Sequence, residues 1–391
     1  MRLLLPTLAL TLTGAACFDP PLPDGVTCDG TRAAGKDPGS LEAALAAAAP
    51  GECVLAMEGS FTGAFVVPEG VKLVAFEDAS FAGDDPAKAA VTVVGGDGTG
   101  LYGARVTSAA GEGVRALGGP AELRDLVVEG AGAGALVATC EDGGCVEGGR
   151  AVRVDDSVLR ASAVGLLAHG ALVEVKGGEI SAHEGAALAS GYGLVAAAGA
   201  RVVLDGTRVA DNAQEGVLLD GATTRAQLTD VVIANNQGRG VWAQGLRGSA
   251  DDPALRVEGD ATVLENNAVA GLGSLDSRGI IFVNGRVAGT VAKPIPTDLG
   301  VIEEVGDGVG LFGGTGEVRL DGVDLTGNAR TQLLIDEGEA GIIFVNGTMT
   351  GDLKAVIQDT VAEVSVPAGL VEDIAERLGL LADRVQVPEA L

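Results

Sequence analysis

The stretch GLVAAAGARVVLDGTRVADNAQEGVLLDGATTRAQLTDVVIANNQGRGVWAQ, residues 193–244, says the same thing three times. A glycine opens an apolar run at Gly193 (GLVAA), at Gly216 (GVLLD) and at Gly240 (GVWAQ), so the step is 216 − 193 = 23 residues and then 240 − 216 = 24. Between the openings lies a second pair of short apolar runs, ARVVLDGTRVADN from Ala200 and AQLTDVVIANN from Ala226. Short alternating runs bounded by Gly, Asp and Asn read as strands. No helical period of ten residues interrupts them.

Outward from this stretch the same phrases recur. GVRAL at 113, GLLAH at 165, GLGSL at 271 and GLFGG at 310 repeat the opening, and LRVEGDATVLENN at 255 and EVRLDGVDLTGN at 317 repeat the second half. Regular self-similarity at this length marks a solenoid. A leucine-rich repeat has the same period but needs leucine at fixed close spacing and a helix on its convex side, and neither is present. Three short strands and three turns per coil fit the phrases, which makes the fold all-β, a parallel β-helix.

Composition agrees. The 391 residues hold 62 glycines but only 8 Phe, 2 Tyr and 1 Trp. A narrow core of stacked Val, Leu, Ile and Ala can do without aromatic filler. A mean hydropathy of +0.33 is too apolar for a disordered chain. The net charge of −28 repels phosphate backbones, so nucleic acid is excluded as a partner.

Each second half ends on Asp211-Asn212, Asn235-Asn236, Asn266-Asn267 or Gly327-Asn328. Asparagine tolerates the left-handed backbone of a sharp corner, and stacked asparagines can hydrogen-bond along an axis. Asn212, Asn236, Asn267 and Asn328 are therefore expected to form a structural ladder. A polar ligand site is the competing use.

With these phrases in place, the chain resembles the right-handed parallel β-helix superfamily of pectate lyases and polygalacturonases over roughly residues 36–355. Its opening, GSLEAALAAAAPGECVLAMEGSFTGAFVVPEGVKLVAF from Gly39 to Phe76, resembles the entry of such domains. The resemblance implies a capping helix, here with Ser40 as N-cap over Leu41–Ala49 and ended by Pro50-Gly51. A solenoid needs its ends covered. At the far end GLVEDIAERLGLLADRV, residues 369–385, has a helical period with Leu370, Ile374, Leu378 and Leu381 on one side, and predicts a C-terminal capping helix.

The chain begins Met-Arg, runs apolar from Leu3 to Leu12, and then reads Thr13-Gly14-Ala15-Ala16-Cys17, the layout of an export signal. The small residues before Cys17 resemble the lipobox of bacterial lipoproteins, which implies a lipid on Cys17. The expected parts are thus a signal over 1–17, a tether over 18–35, the β-helix over 36–360 and a helical cap over 361–391. The expected place is the outer membrane, facing the periplasm or the surface. Four cysteines remain, an even number suited to an oxidising compartment. Cys140 and Cys145 close a small local loop, which leaves Cys28 with Cys53; zinc is disfavoured because the only histidines are His169 and His183.

Insertions break the period at 140–149, 246–254 and 290–308, and such insertions emerge on faces that bind. The phrase GIIFVNG at 279 and again at 341 suggests a duplicated coil.

Chemistry is harder to find. The hydrolases of the resembled superfamily imply clustered aspartates with a histidine and a basic pair. Asp155-Asp156 and His169 are the nearest fragments, and neighbours on a strand face opposite ways. The lyases imply carboxylates holding Ca²⁺ beside a base. Asp205, Asp220 and Asp321 each precede a glycine in a Leu-Asp-Gly turn, and Lys176 and Arg208 are the bases on offer. Saccharide binding calls for aromatic platforms, for which Trp242, Tyr102 and Tyr192 are the supply. No catalytic residue can be named, no metal or cofactor is required, and Ca²⁺ is the one ion left open. The reading preferred on these grounds is a lipid-anchored envelope protein that displays loops for adhesion to a polysaccharide or another envelope protein. A polysaccharide lyase or hydrolase acting where carboxylates near Asp156, Asp205 and Asp230 converge is the alternative, and a carbohydrate-binding module is the third.

Overall fold

The computed structural model describes residues 21–76, 79–140, 144–185, 190–296, 302–339, 341–360, 363–374, 377–379, 385 and 387–388. Among the described residues its strands stack in three parallel sheets: sheet A with 14 strands, sheet B with 12 and sheet C with 12 and one antiparallel strand beside them. Each coil visits A, then B, then C. In one coil these are Arg201–Asp205, Arg208–Ala210 and Val217–Asp220. Every strand pairs in register with its equivalent one coil on, as in Val202↔Ala226, Val209↔Ile233 and Leu218↔Trp242. The two GIIFVNG phrases occupy one place in two coils, since Ile280 and Ile342 both pair with Val318.

Alternation decides which side chains enter. In Arg201–Asp205 the buried positions are Val202 and Leu204, while Arg201 and Asp205 face out. The inward residues of all three sheets join in one core running from Ala34 to Ala355. Two corners of each coil turn on residues with positive φ. Between A and B a single residue with positive φ makes the turn, among them Asp156, Gly206, Asp230 and Asn284. Between B and C the first member of each polar pair does so: Asp211, Asn235, Asn266 and Gly327.

The second members turn inward. Asn212 donates to Asn236 at 2.7 Å and Asn236 to Asn267 at 2.8 Å. Thr290 occupies the rung between Asn267 and Asn328 and donates to Asn328 at 2.7 Å. The stack also continues the other way through His183, whose backbone N–H donates to Asn212. The His183 ring takes the N–H of Ser162 on Nδ1 and faces the Leu159 carbonyl with Nε2 at 3.0 Å. Burial lowers the His183 pKa to about 4, so it stacks as a neutral ring.

Both ends differ from expectation in instructive ways. The N-terminal helix spans Pro38–Ala47, starting three residues early, and its cap is Asp37, whose carboxylate accepts the Ser40 N–H. Pro38 at the first position needs no amide partner, which moves the start forward. Leu41 and Leu45 enter the core beneath it. The expected C-terminal helix over 369–385 is absent among the described residues, apart from a single 3₁₀ turn at Ala368–Leu370. Val371 instead bridges to Ala355, and Ile374, Leu378, Val385 and Val387 lie against the outside of sheet C. Val364, Val366 and Leu370 cover the last coil. The residue Leu381 and the signal with Cys17 lie outside the described residues.

Disulfides join Cys28 to Cys53 and Cys140 to Cys145. The insertion at 290–308 includes an antiparallel arm, Lys293–Pro296 against Ile302–Val305. Among the described residues no helix is long and apolar enough to cross a membrane.

Candidate binding face

The candidate residues for a hydrolase or lyase centre are dispersed. Asp205 and Asp321 face outward from sheet A in one column, four coils apart, whereas Asp220 faces out from sheet C. At about 4.8 Å per coil, Asp205 and Asp321 are about 19 Å apart. Asp321 is held below the usual carboxylate range by the amide of Asn346 and then by Arg319. Asp155 lies near Arg124 on sheet A, while His169 is on sheet C. Asp156 and Asp230 are corner residues, and the Asp230 carboxylate accepts the N–H of Ala261. Lys176 shares a column with Asp155 and Asp205, and Arg208 pairs with Asp211. Among the described residues no three His, Cys, Asp or Glu side chains are grouped to hold a metal ion.

The polar chemistry concentrates on the outside of sheet C. Sheets A and B alternate wet and dry, but strands such as Tyr192–Ala197 and Val241–Gln244 are buried along their whole length. Something must cover their outer face. Three outward columns define it. The central one carries Val195, Leu218, Trp242, Leu334 and Val356. In this column Gly273 and Gly310 follow Trp242, and a Cβ on either would strike the Trp242 or Phe312 ring, so both glycines let an aromatic lie flat on the next coil.

A second column carries Tyr192, Glu215, Arg239 and Asp307. Arg239 donates to Glu215 at 2.6 Å, with side chains only 4 % and 5 % exposed, and its guanidinium lies 3.9 Å from the centre of the Trp242 ring. Burial pulls Arg239 below its ordinary pKa, and Glu215 opposes this. Burial and then Glu215 push the Tyr192 hydroxyl upward. These residues escape a reading that starts each phrase at its glycine. The residue before it carries the signal: Glu215-Gly-Val, Arg239-Gly-Val and Asp307-Gly-Val all place a charge at one register position.

The third column holds the cover. Gln244 and Gln358 lie four coils apart along it, through Leu275, Phe312 and Asp336. Gln244 donates to the Val385 carbonyl and accepts the Val385 N–H, both at 2.9 Å, while also accepting the indole N–H of Trp242 at 2.8 Å. Asp220 accepts the other amide hydrogen of Gln244. Gln358 grips Leu378 in the same two-way manner at 2.9 and 3.1 Å. Leu378 and Val385 are therefore anchored about four coils, or about 19 Å, apart on this face. Ion pairs flank it. Arg377 meets Asp336 at 3.0 Å and Asp359 at 2.9 Å. Arg330, buried against Asp307, donates to the Gly379 carbonyl, and Glu303 accepts the Gly379 N–H.

The aromatic platforms are thus not exposed. Trp242 lies beneath this segment, and Tyr102 on sheet A donates to Glu122 at 2.7 Å. A separate shallow groove of about 250 Å³ on sheet A is lined by Arg201, Arg225 and Arg256. Arg225 pairs loosely with exposed Asp252 and Arg256 with Glu258, while Arg201 has no carboxylate partner among the described residues.

Residues 112–287 match the family described as "Right handed beta helix region", and the chain has that right-handed parallel β-helix fold. No curated protein matches the chain. Among solved structures it is similar to the A-module of mannuronan C-5 epimerase AlgE4 from Azotobacter vinelandii, at 14 % identity and TM-score 0.42, covering 87 % of this chain and 96 % of that one. It is also similar to PfbA, a surface adhesin of Streptococcus pneumoniae, at 10 % identity and TM-score 0.40, covering 85 % and 88 %. Pectate lyase Pel9A is similar at 14 % identity and TM-score 0.38, covering 90 % and 80 %.

Proposed function

We propose that this chain is an exported β-helix that works by interaction rather than catalysis, tethered to the outer membrane through a lipid on Cys17 and facing the periplasm or the surface. The observation that carries this reading is the outer face of sheet C, where two glutamines grip the backbone at Leu378 and Val385 above an apolar stripe. A face so furnished holds chains. The outward carboxylates support it further, because many are engaged by arginines on neighbouring coils, as in Arg153–Glu174, Arg160–Glu129 and Arg286–Glu265. Such surface pairs add little stability, and each holds its carboxylate beside a cation. The reading is tested by incubating the protein with a panel of acidic and neutral polysaccharides, with and without Ca²⁺. No reducing ends and no unsaturated-product absorbance are expected, and sustained turnover would defeat it. Labelled palmitate incorporation, abolished in Cys17→Ala, tests the anchor separately.

The arginine groove on sheet A favours a second reading, a carbohydrate-binding surface for an acidic polysaccharide. Guanidinium groups on successive coils match carboxylates along a polymer. Retention on an immobilised polyuronate, lost in Arg201→Ala/Arg225→Ala, is the outcome that reading requires.

A further inference from the structure

We propose that the arginine groove on sheet A is a binding site for a single phosphate monoester carried on a sugar, held by Arg201, Arg225 and Arg256 and guarded by Asp252. This deepens the carbohydrate-binding reading above, on which it rests for the site, by naming the acid group that the site reads.

Three observations lead there. The first is a repulsion that the fold does not relieve. Arg201 and Arg225 stand directly opposite each other on adjacent coils. Like charges so placed cost stability. Elsewhere on sheet A arginines are paired off, as in Arg32 with Glu52, Arg153 with Glu174 and Arg319 with Asp321. The chain has 54 acidic residues, yet it stacks these two cations on one another.

The second is that Arg225 is preset and only loosely paired. Its Nη1 donates to the carbonyls of Ala222 and Thr224 at 3.1 and 3.0 Å, which fixes the guanidinium. Its Nη2 lies 3.8 Å from Asp252, beyond hydrogen-bond range, and the Asp252 side chain is 82 % exposed. Asp252 comes from the insertion at 246–254 and lines the groove beside Pro253. A carboxylate held so loosely is a stand-in that a stronger anion displaces.

The third is the extent of the basic patch. One coil before Arg201 the same position is Leu172. Carboxylates surround the groove: Glu174 one coil back, Asp205 at the far end of the Arg201 strand, and Glu258 beside Arg256. A run of uronates, with one charge per sugar, would pass from the arginines into these carboxylates. The groove instead suits charge concentrated on one group. A phosphate monoester carries about −1.5 to −2 and three acceptor oxygens, which guanidinium forks take in bidentate pairs. The floor and wall add an amide, Gln227, and an apolar ring, Pro253, suited to a sugar's hydroxyls and C–H face. A net charge of −28 repels an anionic bilayer, which favours a sugar over a lipid as the carrier.

The test is titration calorimetry of the full chain at pH 7.5 with glucose 6-phosphate and with glucuronate, which differ in the acid at the same carbon. Glucose 6-phosphate is expected to bind at least about tenfold more tightly, and to weaken as pH falls below about 6, where the ester takes up a proton. Arg201→Gln/Arg225→Gln should abolish binding without threatening the fold, since it removes a repulsion. Asp252→Asn should tighten binding about twofold to fivefold, and no gain would overturn the guard. Equal affinity for the two sugars, or none for either, overturns the phosphate site. Binding to phosphatidylcholine vesicles containing phosphatidic acid, without binding to glucose 6-phosphate, overturns it in favour of a lipid headgroup. Retention on polyuronate without a preference for glucose 6-phosphate sinks this inference and leaves the carbohydrate reading standing, whereas loss of both sinks both.

Discussion

Both termini run across the outside of a sheet, but only one is welded down. Residues 21–29 cover the first coils of sheet A, where Leu22, Val26 and Cys28 pack against Leu55, Val74 and Tyr102. Arg124 holds the Asp24 carbonyl, Lys72 holds the Thr27 carbonyl, and the Cys28–Cys53 disulfide closes the arrangement. No unpartnered buried side-chain atom lies in this packing among the described residues. The described residues from Val371 to Pro388 lie on sheet C by hydrogen bonds, ion pairs and apolar packing, and Asp336, which Arg377 meets, has one buried oxygen without a hydrogen-bond partner. The same device, a terminal segment masking apolar rungs, is closed by a disulfide in one place and held without one in the other.

The contrast is broken most severely at the buried pair. Arg239→Leu leaves Glu215 charged, buried and alone, and is expected to cost about 3–5 kcal/mol. Arg239→Leu/Glu215→Leu, which removes both charges, is expected to recover most of that. Urea denaturation of the two variants checks the difference; equal losses would mean that the pair is not coupled. Next in size is the weld. For a sequence separation of 25, removing the disulfide by Cys28→Ser/Cys53→Ser is expected to cost about 3.5 kcal/mol through the entropy of the unfolded chain. Hydrogen exchange should then rise over 21–29 and leave the Val385 amide unchanged.

Much of this was legible in the residues, and what escaped did so for physical reasons. The coil period, the corner polar pairs and the four-cysteine pairing follow from short-range turn chemistry, which each residue expresses locally. His183, Ser162 and Thr290 were missed in the ladder because the inward position asks only for a small or flat hydrogen-bonding group, not for asparagine by name. The C-terminal segment misled because Ile374 and Leu378 have helical spacing, yet an apolar sheet face and two waiting glutamines outweigh that local preference. The dispersal of Asp205, Asp220 and Asp321 could not be read either. Identical Leu-Asp-Gly turns end strands of sheet A and of sheet C alike.

A third change separates the covers from the body. The folded pKa of His183 is depressed to about 4 from 6.5, so its contribution is fully present above pH 6.5 and is lost as pH falls through that window to about 4. The shift corresponds to about 3 kcal/mol. His183→Asn should keep the stack, because Asn267 already makes the equivalent bond to the Ile233 carbonyl. Its denaturation midpoint should fall less from pH 7 to 4 than the parent's. Neither cover contains this group, so the pH-dependent loosening that the substitution abolishes belongs to the body.

The smallest effect is the most discriminating. Gln358→Ala and Gln244→Ala each remove two main-chain hydrogen bonds to the C-terminal cover, worth about 1–2 kcal/mol apiece. Only Gln244 also touches the indole of Trp242. If residues 378–385 lift as one unit, loosening the Gln358 clamp four coils away must redden Trp242 emission almost as much as loosening the Gln244 clamp, and both must speed exchange at the Val385 amide. If the clamps open separately, Gln358→Ala leaves Trp242 emission unshifted and frees only the Leu378 end.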